Sequence, residues 1–375
     1  MWTKRAKYIK IYVSLRGTNM IGLYIHIPFC AKKCDYCDFY SLNYNTETVR
    51  QYVDETCRRV KKLNYTFDTV YFGGGTPSLI GAENIAKILS CARKTQGAEV
   101  TVEVNPKSFK KNFFEEIFKA GVNRVSIGLQ SANDKELKLL SRTHNSDDVR
   151  TAISLARQAG FENISLDVMI GIENQTAKSM IDTLEFCVEN KATHVSCYML
   201  KIEEGTPFST RKLNLPDEDE VSDMYLIMSD YLEKKGYNHY EISNFALDGC
   251  ESKHNLIYWH CDEYIGVGPS AHSLISNKRY YFPNDIKYYL DGFDMKFSEV
   301  GADLYDYIML GLRLKEGISF TKVEKLGLKN KEKFIKKLEK YKQNELLDFD
   351  EEVVFLTEKG FLLQNTILVD LLEEI

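Results

Sequence analysis

The sequence predicts an α/β protein: a partial (β/α)6 TIM-like barrel followed by a small C-terminal helical, winged-helix-like domain. Three observations predict this fold class. Short apolar runs rich in β-branched residues recur in the N-terminal half, amphipathic segments separate them, and closely spaced helical patterns replace them near the C-terminus. Alternating strands and helices form parallel sheets with right-handed crossovers, and six such units make three quarters of an eight-unit barrel.

The same periodicities locate each element of the barrel in turn. The predicted strands are 22–27, 69–72, 99–104, 124–127, 164–169 and 194–200. Helical spacing of apolar residues predicts helices at 46–63, 82–95, 107–120, 147–160 and 178–190. After a polar break with Pro207 and Pro216, we expect a helix at 220–235, further helices at 304–314, 320–326 and 330–343, a hairpin around 346–356 and a last helix at 357–372.

These changes of pattern divide the chain into four parts. We expect a basic N-terminal extension (1–19), a barrel core (20–215), an extension of the core (216–302) and the C-terminal domain (303–375). The first twenty residues contain five basic and no acidic residues. We favour a mis-called start codon with Met20 as the initiator, and the alternative is a basic arm that contacts an anionic membrane surface.

The composition argues against a nucleic-acid-binding protein and against a membrane-spanning one. A net charge of −5 and a pI near 5.9 argue against nucleic-acid binding. Because the presumed recognition helix of the C-terminal domain is not strongly basic, packing or partner contact is favoured there over DNA binding. The sequence predicts no transmembrane segment. The nine cysteines are odd in number and six of them are scattered, which fits a reducing cytoplasm better than a disulfide framework. We therefore expect a cytoplasmic protein that can also contact the membrane surface.

The most informative motif is a group of three closely spaced cysteines. Cys30, Cys34 and Cys37 have the spacing C-x3-C-x2-C. Three thiolates can hold three irons of a [4Fe–4S] cluster and leave the fourth iron open, whereas electron-transfer clusters commonly have four. The alternatives are a disulfide with a spare thiol, or a zinc site completed by a distant ligand. His26 either supports this loop by a hydrogen bond or faces the sheet.

Polar and glycine residues stand where the predicted strands end. The run Gly73-Gly74-Gly75-Thr76-Pro77 follows the second strand, and the ends of the later strands carry Glu103, Gln130, Asp167 and Lys201. The C-terminal ends of parallel barrel strands form one face, where active sites lie. We therefore expect these groups to surround the cysteine loop.

The cysteine spacing and its flanking residues resemble the radical S-adenosylmethionine (SAM) superfamily. The resemblance implies one [4Fe–4S] cluster per chain, with three cysteine ligands and SAM bound at the open iron. It also implies reductive cleavage of SAM to a 5′-deoxyadenosyl radical, for which an electron donor is needed. The partial (β/α)6 barrel is the fold that this resemblance implies independently.

Further motifs are similar to one branch of that superfamily. The runs Tyr24-Ile-His-Ile-Pro-Phe-Cys, Phe72-Gly-Gly-Gly-Thr-Pro-Ser, Glu103-Val-Asn-Pro and Gly128-Leu-Gln-Ser resemble the branch of oxygen-independent coproporphyrinogen III dehydrogenase and the HemW-type heme chaperones. By this resemblance Tyr24, Gly74 and Glu103 contact the cluster-bound SAM. The positions that match a second SAM site are Tyr36, Gly75, Thr76, Gln130, Arg142 and Asp167.

Two features favour the chaperones over the dehydrogenase. The dehydrogenase pattern has a fourth cysteine two residues after the third, where this chain has Phe39. The run His254-Asn-Leu-Ile-Tyr-Trp matches the H-N-x-x-Y-W signature of the HemW-type proteins. Phe39 offers no thiolate, so decarboxylation of coproporphyrinogen propionates is in doubt.

The histidine of this signature is the predicted heme ligand. A neutral imidazole is a good axial ligand and nearby aromatic rings can cover a porphyrin face, so His254 is the first candidate, before His260 and His272. Two alternatives remain open from the sequence. His254 can be a buried core residue beside aromatics, or it can form a zinc site with Cys250, His260 and Cys261.

The resulting functional expectation is a SAM-binding [4Fe–4S] heme chaperone that delivers heme to respiratory hemoproteins at the membrane. The alternative is coproporphyrinogen III dehydrogenase or another radical SAM enzyme that acts on a tetrapyrrole. The sequence assigns no catalytic residue, so enzymatic turnover of SAM stays open.

Overall fold

A computed structural model describes residues 20–373, and the expected extension over 1–19 lies outside this range. The first part of the described chain alternates strands and helices. In chain order the elements are β1 Ile21–Ile27, β2 Phe29–Cys30, β3 Leu42–Asn43, α1 Thr46–Lys62, β4 Phe67–Gly74, α2 Ala82–Leu89, β5 Lys94–Val104, α3 Phe113–Lys119, β6 Arg124–Gln130, α4 Asp134–Leu139, α5 Ser146–Ala159, β7 Asn163–Ile170, α6 Ala177–Glu189 and β8 His194–Met199.

The six long strands pair in parallel and in chain order, so the sheet runs β1-β4-β5-β6-β7-β8. Their apolar residues, such as Leu23 and Ile25 of β1, pack in the core with the surrounding helices. On the opposite face of β1 the alternation places Gly22, Tyr24 and His26. The predicted partial (β/α)6 core is confirmed.

A second group of elements extends this sheet on both sides. It comprises α7 Glu218–Lys234, β9 Asn238–Glu241, β10 Asn244–Ala246, α8 Lys253–Trp259, β11 Glu263–Val267, β12 His272–Ile275, β13 Lys278–Tyr281, α9 Ile286–Leu290 and β14 Lys296–Val300. The strands β10 and β9 continue the sheet beyond β8, while β11, β12, β13 and β14 continue it beyond β1.

The neighbour of β1 on its second side was not predicted. Strand β11 pairs with it in parallel, with Ile21 opposite Glu263 and Ile25 opposite Val267. This pairing brings α8, which carries His254, against β1 and β4. The short strand β11 lacks an apolar run as long as those of the barrel strands, because it lies near the edge of the parallel part.

Up to residue 373, the C-terminal part contains five helices and a small antiparallel sheet. Its elements are α10 Leu304–Gly311, β15 Ile318–Ser319, α11 Phe320–Lys325, α12 Lys331–Gln343, β16 Leu347–Phe349, β17 Val353–Leu356, α13 Glu358–Leu362 and α14 Gln364–Leu372. The hairpin of β16 and β17 pairs with β15, which agrees with the predicted winged-helix-like order.

Three predicted helices differ most from their bounds in the structure. Helix α2 ends at Leu89, and the next strand already begins at Lys94. Helix α3 begins at Phe113 because residues before it form turns, in which the Asn105 side chain accepts the amide of Lys107. The last predicted helix is two helices, separated at Leu363. None of the helices described between residues 20 and 373 has the length and apolar character to cross a membrane.

Candidate functional site

The cysteine loop lies at the C-terminal end of β1. Strand β2, which contains Cys30, pairs in parallel with β3 and so closes the loop at its base. The turn between the other two cysteines is held by the amide of Cys37, which donates to the carbonyl of Cys34 at 3.2 Å. All three are half-buried free thiols.

Two of the sulfurs contact polar groups from other loops. The Thr76 hydroxyl, after β4, lies 3.5 Å from Cys30 Sγ. Arg142 Nη1, which follows α4, lies 3.5 Å from Cys34 Sγ and 3.4 Å from the Tyr36 hydroxyl. Arg142 thereby offers a charged donor to the sulfur of Cys34.

The donor set fits a cluster better than a single ion. Within residues 20–373, the three Sγ atoms do not form a set in which all atoms lie within 4.8 Å of one another. A single zinc ion would need such a set, whereas the irons of a cubane occupy separate corners and separate their thiolates.

The cysteine loop is anchored to the rest of the site through Asp35. Its carboxylate accepts hydrogen bonds from the Ser141 hydroxyl at 2.5 Å and from Arg211 Nη2 at 2.6 Å. Its carbonyl accepts the amide of Phe208 at 3.1 Å. The hydrogen bond from Ser141, and after it the contact with Arg211, hold the pKa of Asp35 below its ordinary value. We call these contacts the Asp35 anchor.

His26 supports the same loop. Its Nε2 lies 3.1 Å from the carbonyl of Tyr40, and its Nδ1 lies 3.0 Å from the Tyr24 hydroxyl. The carbonyl can only accept, so Nε2 carries the proton and Tyr24 donates to Nδ1. The structure therefore decides between the two roles that the sequence left open for His26.

The glycine run after β4 contacts the base of the cysteine loop through its backbone. Gly75 donates to the carbonyl of Ile27 at 2.8 Å, and a Cβ on Gly75 would lie 2.8 Å from that oxygen. Gly74 has φ +104°, and a Cβ there would lie 2.6 Å from the His26 ring. Only glycine fits these two positions.

A cavity of about 260 Å³ opens between the barrel strands and α8. The residues that line it are polar or aromatic: Tyr24, Tyr71, Glu103, Tyr198, His254, Asn255 and Tyr258. They come from β1, β4, β5, β8 and α8. The cavity thus brings the predicted SAM contacts Tyr24 and Glu103 together with the predicted heme ligand His254.

Glu103 is the acidic group of this cavity. Its carboxylate accepts the Tyr71 hydroxyl at 2.9 Å and the amide of Gly74 at 3.2 Å. Burial, and secondly the nearby Asp167, raise the pKa of Glu103 to about 7. Its charge therefore changes near neutral pH.

His254 lies in the cavity wall as a neutral imidazole. The ring is 1% exposed, and burial, with Arg124 as the second cause, lowers the pKa of His254 to about 3. Its Nδ1 lies 2.7 Å from the Thr69 hydroxyl and its Nε2 lies 2.7 Å from the Tyr258 hydroxyl.

The helix that carries His254 is held at its first turn by Glu99 of β5. This carboxylate accepts the amides of Lys253 and His254, both at 3.1 Å. A carboxylate at the first turn satisfies unpaired amides and complements the helix dipole. The position of the imidazole is thus set by β5 as well as by β11.

Of the positions that match a second SAM site, Thr76 and Arg142 contact cysteine sulfurs. Arg142 contacts Tyr36, and its Nη2 donates to the Gly128 carbonyl at 3.3 Å. Gln130 ends β6 with φ +66°. Asp167 on β7 accepts the Ser126 hydroxyl at 2.9 Å, and burial raises the pKa of Asp167.

Other sequence candidates lie apart from the cavity. Lys201 is exposed and pairs with Glu203 at 2.7 Å, His260 lies 2.9 Å from Glu316, and His272 is exposed on β12. The alternative zinc site is not formed: Cys250, His254, His260 and Cys261 are not among the described side-chain groups whose ligand atoms converge.

Sequence reasoning missed Tyr71, Tyr198 and the Asp35 anchor. Tyr71 carried a signal, because Thr69, Tyr71 and Gly73 alternate with buried apolar residues of β4 and so share the inner face. Asp35 and Arg211 carried no signal, since nothing in the local pattern links positions so far apart in the chain.

Family models match two parts of the chain. The model of the radical SAM superfamily matches residues 24–187, and that of the HemN C-terminal domain matches residues 303–363. Together they include the three cysteines and the winged-helix-like part.

Curated relatives match nearly the whole chain. The heme chaperone HemW of Lactococcus lactis is 33% identical over 360 residues, which are 92% of this chain and 95% of that protein. The heme chaperone HemW of Bacillus subtilis is 34% identical over 379 residues, 95% and 100% of the two chains.

A solved structure shares the fold. It is coproporphyrinogen III oxidase (HemN) from Escherichia coli, a radical SAM enzyme, with a TM-score of 0.80 and 21% identity over 94% of this chain and 89% of that one. At this identity the similarity establishes the fold alone.

Proposed function

The chain belongs to the HemW family within the radical SAM superfamily, and we propose that it is a SAM-binding [4Fe–4S] heme chaperone that delivers heme to respiratory hemoproteins. The observation that carries the proposal is the position of His254, a neutral imidazole in the wall of an aromatic cavity. The names of the relatives support heme as the cargo.

In this proposal the cysteine loop holds the cluster. Cys30, Cys34 and Cys37 each bind one iron, while Arg142 and Thr76 stabilise the negative charge on two of the sulfurs. A cluster held by these cysteines would supply an electron for cleavage of bound SAM. The Asp35 anchor keeps the loop in one geometry.

The proposed site for the cluster-bound SAM is formed by Tyr24, Gly74 and Glu103. The ionised Glu103 carboxylate attracts the positive charge of SAM, and its bond to the amide of Gly74 fixes its direction. The proposed second site comprises Tyr36, Gly75, Thr76, Gln130, Arg142 and Asp167. We propose that SAM and the cluster regulate or drive heme transfer.

Heme binding at His254 requires a free lone pair on a ring nitrogen. The Nε2 atom is in contact with the Tyr258 hydroxyl, which rotates about its C–O bond and can release it. Iron would then take the place of this hydroxyl, while Thr69 holds Nδ1. The burial that keeps the imidazole neutral also keeps that lone pair available.

His254→Ala is expected to weaken heme binding by about tenfold or more, since it removes a ligand rather than a neighbour. Tyr258→Phe serves as the matched variant, because it removes the competing hydroxyl and should leave heme affinity unchanged or higher. The measurement is an anaerobic titration with heme, followed by the Soret absorbance. Equal affinity in His254→Ala and the wild type, with both folded by circular dichroism, would remove this residue from the proposal.

The same preparation decides between the chaperone and the dehydrogenase. Phe39 is 59% exposed where a dehydrogenase has its fourth cysteine, so no thiol is available there. We expect no protoporphyrinogen IX from coproporphyrinogen III with SAM and reductant in an anaerobic assay. Formation of that product with catalytic turnover would contradict the chaperone assignment.

A further inference from the structure

Two free thiols meet between the first two helices of the barrel. Cys57 lies on α1, is 6% exposed and belongs to the hydrophobic core, whereas Cys91 follows the end of α2 and is half-buried. Their side chains are in hydrogen-bond contact. Neither thiol belongs to the cysteine loop or lines the cavity that contains His254. We call Cys57 and Cys91 the thiol pair.

An ion pair beside the thiols joins the same two helices. Lys87 Nζ lies 2.7 Å from Asp54 Oδ1. Asp54 stands one helical turn before Cys57, and Lys87 stands one turn before the other thiol. The Sγ atom of Cys91 also donates to the carbonyl of Lys87 at 3.3 Å. The contact between the sulfurs and the ion pair therefore lie side by side in one helix–helix interface.

The two thiols differ in access and in acidity. Burial, and after it the contact with Cys91, raise the pKa of Cys57 to about 12, so this thiol stays protonated. The ammonium of Lys87 acts against this rise, because a nearby cation favours a thiolate. Cys91 is half-buried and can be reached from solvent. An oxidant therefore meets Cys91 first, and Cys57 is the partner that completes the reaction.

Helix α1 connects the thiol pair to the base of the cysteine loop. Tyr52 of this helix donates its hydroxyl to the carbonyl of His26 at 2.7 Å. Its ring packs edge-on against Phe29, with 5.5 Å between the ring centroids, and Phe29 directly precedes Cys30. A covalent link between α1 and α2 would therefore hold the helix on which the loop rests.

We propose that the thiol pair is a redox site, at which Cys57 and Cys91 form a reversible disulfide with a low-molecular-weight disulfide as the oxidant. The Cys91 thiolate attacks one sulfur of the oxidant, which forms a mixed disulfide and releases the first thiol. Cys57 then loses its proton and attacks Cys91 Sγ, which forms the new bond and releases the second thiol. The two cysteines lose two electrons and two protons, and the oxidant gains both.

The expected effect of this bond is a more stable barrel. The disulfide closes the segment from α1 to the end of α2 and so restricts the unfolded chain. In reducing compartments such bonds are usually transient, so thiols should reverse it. The inference goes beyond the proposed function, since the reaction needs neither the cluster nor heme.

The test is anaerobic incubation of the reconstituted protein with glutathione disulfide, followed by alkylation of the remaining thiols and peptide mass spectrometry without reductant. We expect the peptides of Cys57 and Cys91 to be joined, two hydrogens lighter than their sum, and to separate after treatment with dithiothreitol. Cys187 and Cys197 are buried thiols that serve as the internal control and should be recovered unlinked.

Cys91→Ser is the matched variant for a second readout. After the same incubation, the midpoint of thermal unfolding should rise by about 5 °C or more in the wild type and stay unchanged in Cys91→Ser. Cys250→Ser removes another half-buried thiol and should respond like the wild type. Peptides of Cys57 and Cys91 that stay unlinked would overturn the proposal, and so would an equal rise in the wild type and Cys91→Ser.

Discussion

Cys34→Ser is expected to lose the iron–sulfur cluster. Serine offers a hard oxygen in place of the soft thiolate that iron–sulfur clusters require. The variant also loses the contact between Arg142 and the sulfur of Cys34. Even changes to neighbours of metal ligands commonly cost tenfold or more in metal affinity, so loss of a ligand should cost at least that. The measurements are iron content after anaerobic reconstitution and the broad absorbance near about 400 nm.

Cys91→Ser is the matched control. Cys91 is a half-buried free thiol whose Sγ contacts the carbonyl of Lys87, away from the site. Its substitution should leave iron content and absorbance unchanged. A full cluster in Cys34→Ser, or equal loss in both variants, would refute the ligand assignment.

Glu103→Gln is expected to weaken SAM binding about tenfold or more at pH 8 and to remove its pH dependence. With the pKa of Glu103 at about 7, the carboxylate is mostly protonated at pH 6 and mostly ionised at pH 8. If the ionised form alone attracts the cation, wild-type affinity for SAM should rise about tenfold across this interval. Anaerobic calorimetry at pH 6, 7 and 8 measures it.

The same carboxylate affects stability in the opposite direction. Because the pKa of Glu103 is higher in the folded chain than its ordinary value of 4.5, the folded state binds more protons between about pH 4.5 and 7. This contribution to the free energy of unfolding is complete below pH 4.5 and is lost as the pH rises through 7. Glu103→Gln should therefore flatten the dependence of unfolding on pH.

Glu162→Gln at an exposed position is the control for both measurements. It should retain the rise of SAM affinity with pH. A wild-type affinity that is equal at pH 6 and 8 would contradict the role given to Glu103. A Glu103→Gln variant with wild-type affinity would contradict it independently, whatever the pH profile.

The barrel could be predicted from the sequence because its signals are local. Each core strand is a short apolar run, and strand order follows chain order, as the pairing of β4 with β5 and of β6 with β7 shows. Strand β11 could not be placed in this way. Its position beside β1 is set by a pairing between segments far apart in the chain, which no local periodicity encodes.

The same distinction between local signals and long-range contacts applies to the site. The cysteine spacing and the residues at strand ends were visible, since chain order carries them to one face. The enclosure of His254 by Thr69 and Tyr258 was not predicted, and the burial alternative considered for this residue describes its surroundings correctly. The Asp35 anchor depends on side chains from three separate loops, so it emerged from the tertiary structure alone.

The pairing of β1 with β11 has a consequence for how the protein is made. Ile25 lies opposite Val267, so β1 leaves the ribosome long before its second partner is synthesised. Until then one edge of β1 has unpaired backbone groups next to the cysteine loop, and such edges favour wrong association. The wall that contains His254 is also absent during this time. The interior cavity can therefore be completed only after the ribosome has synthesised β11, even when the cofactors are already present.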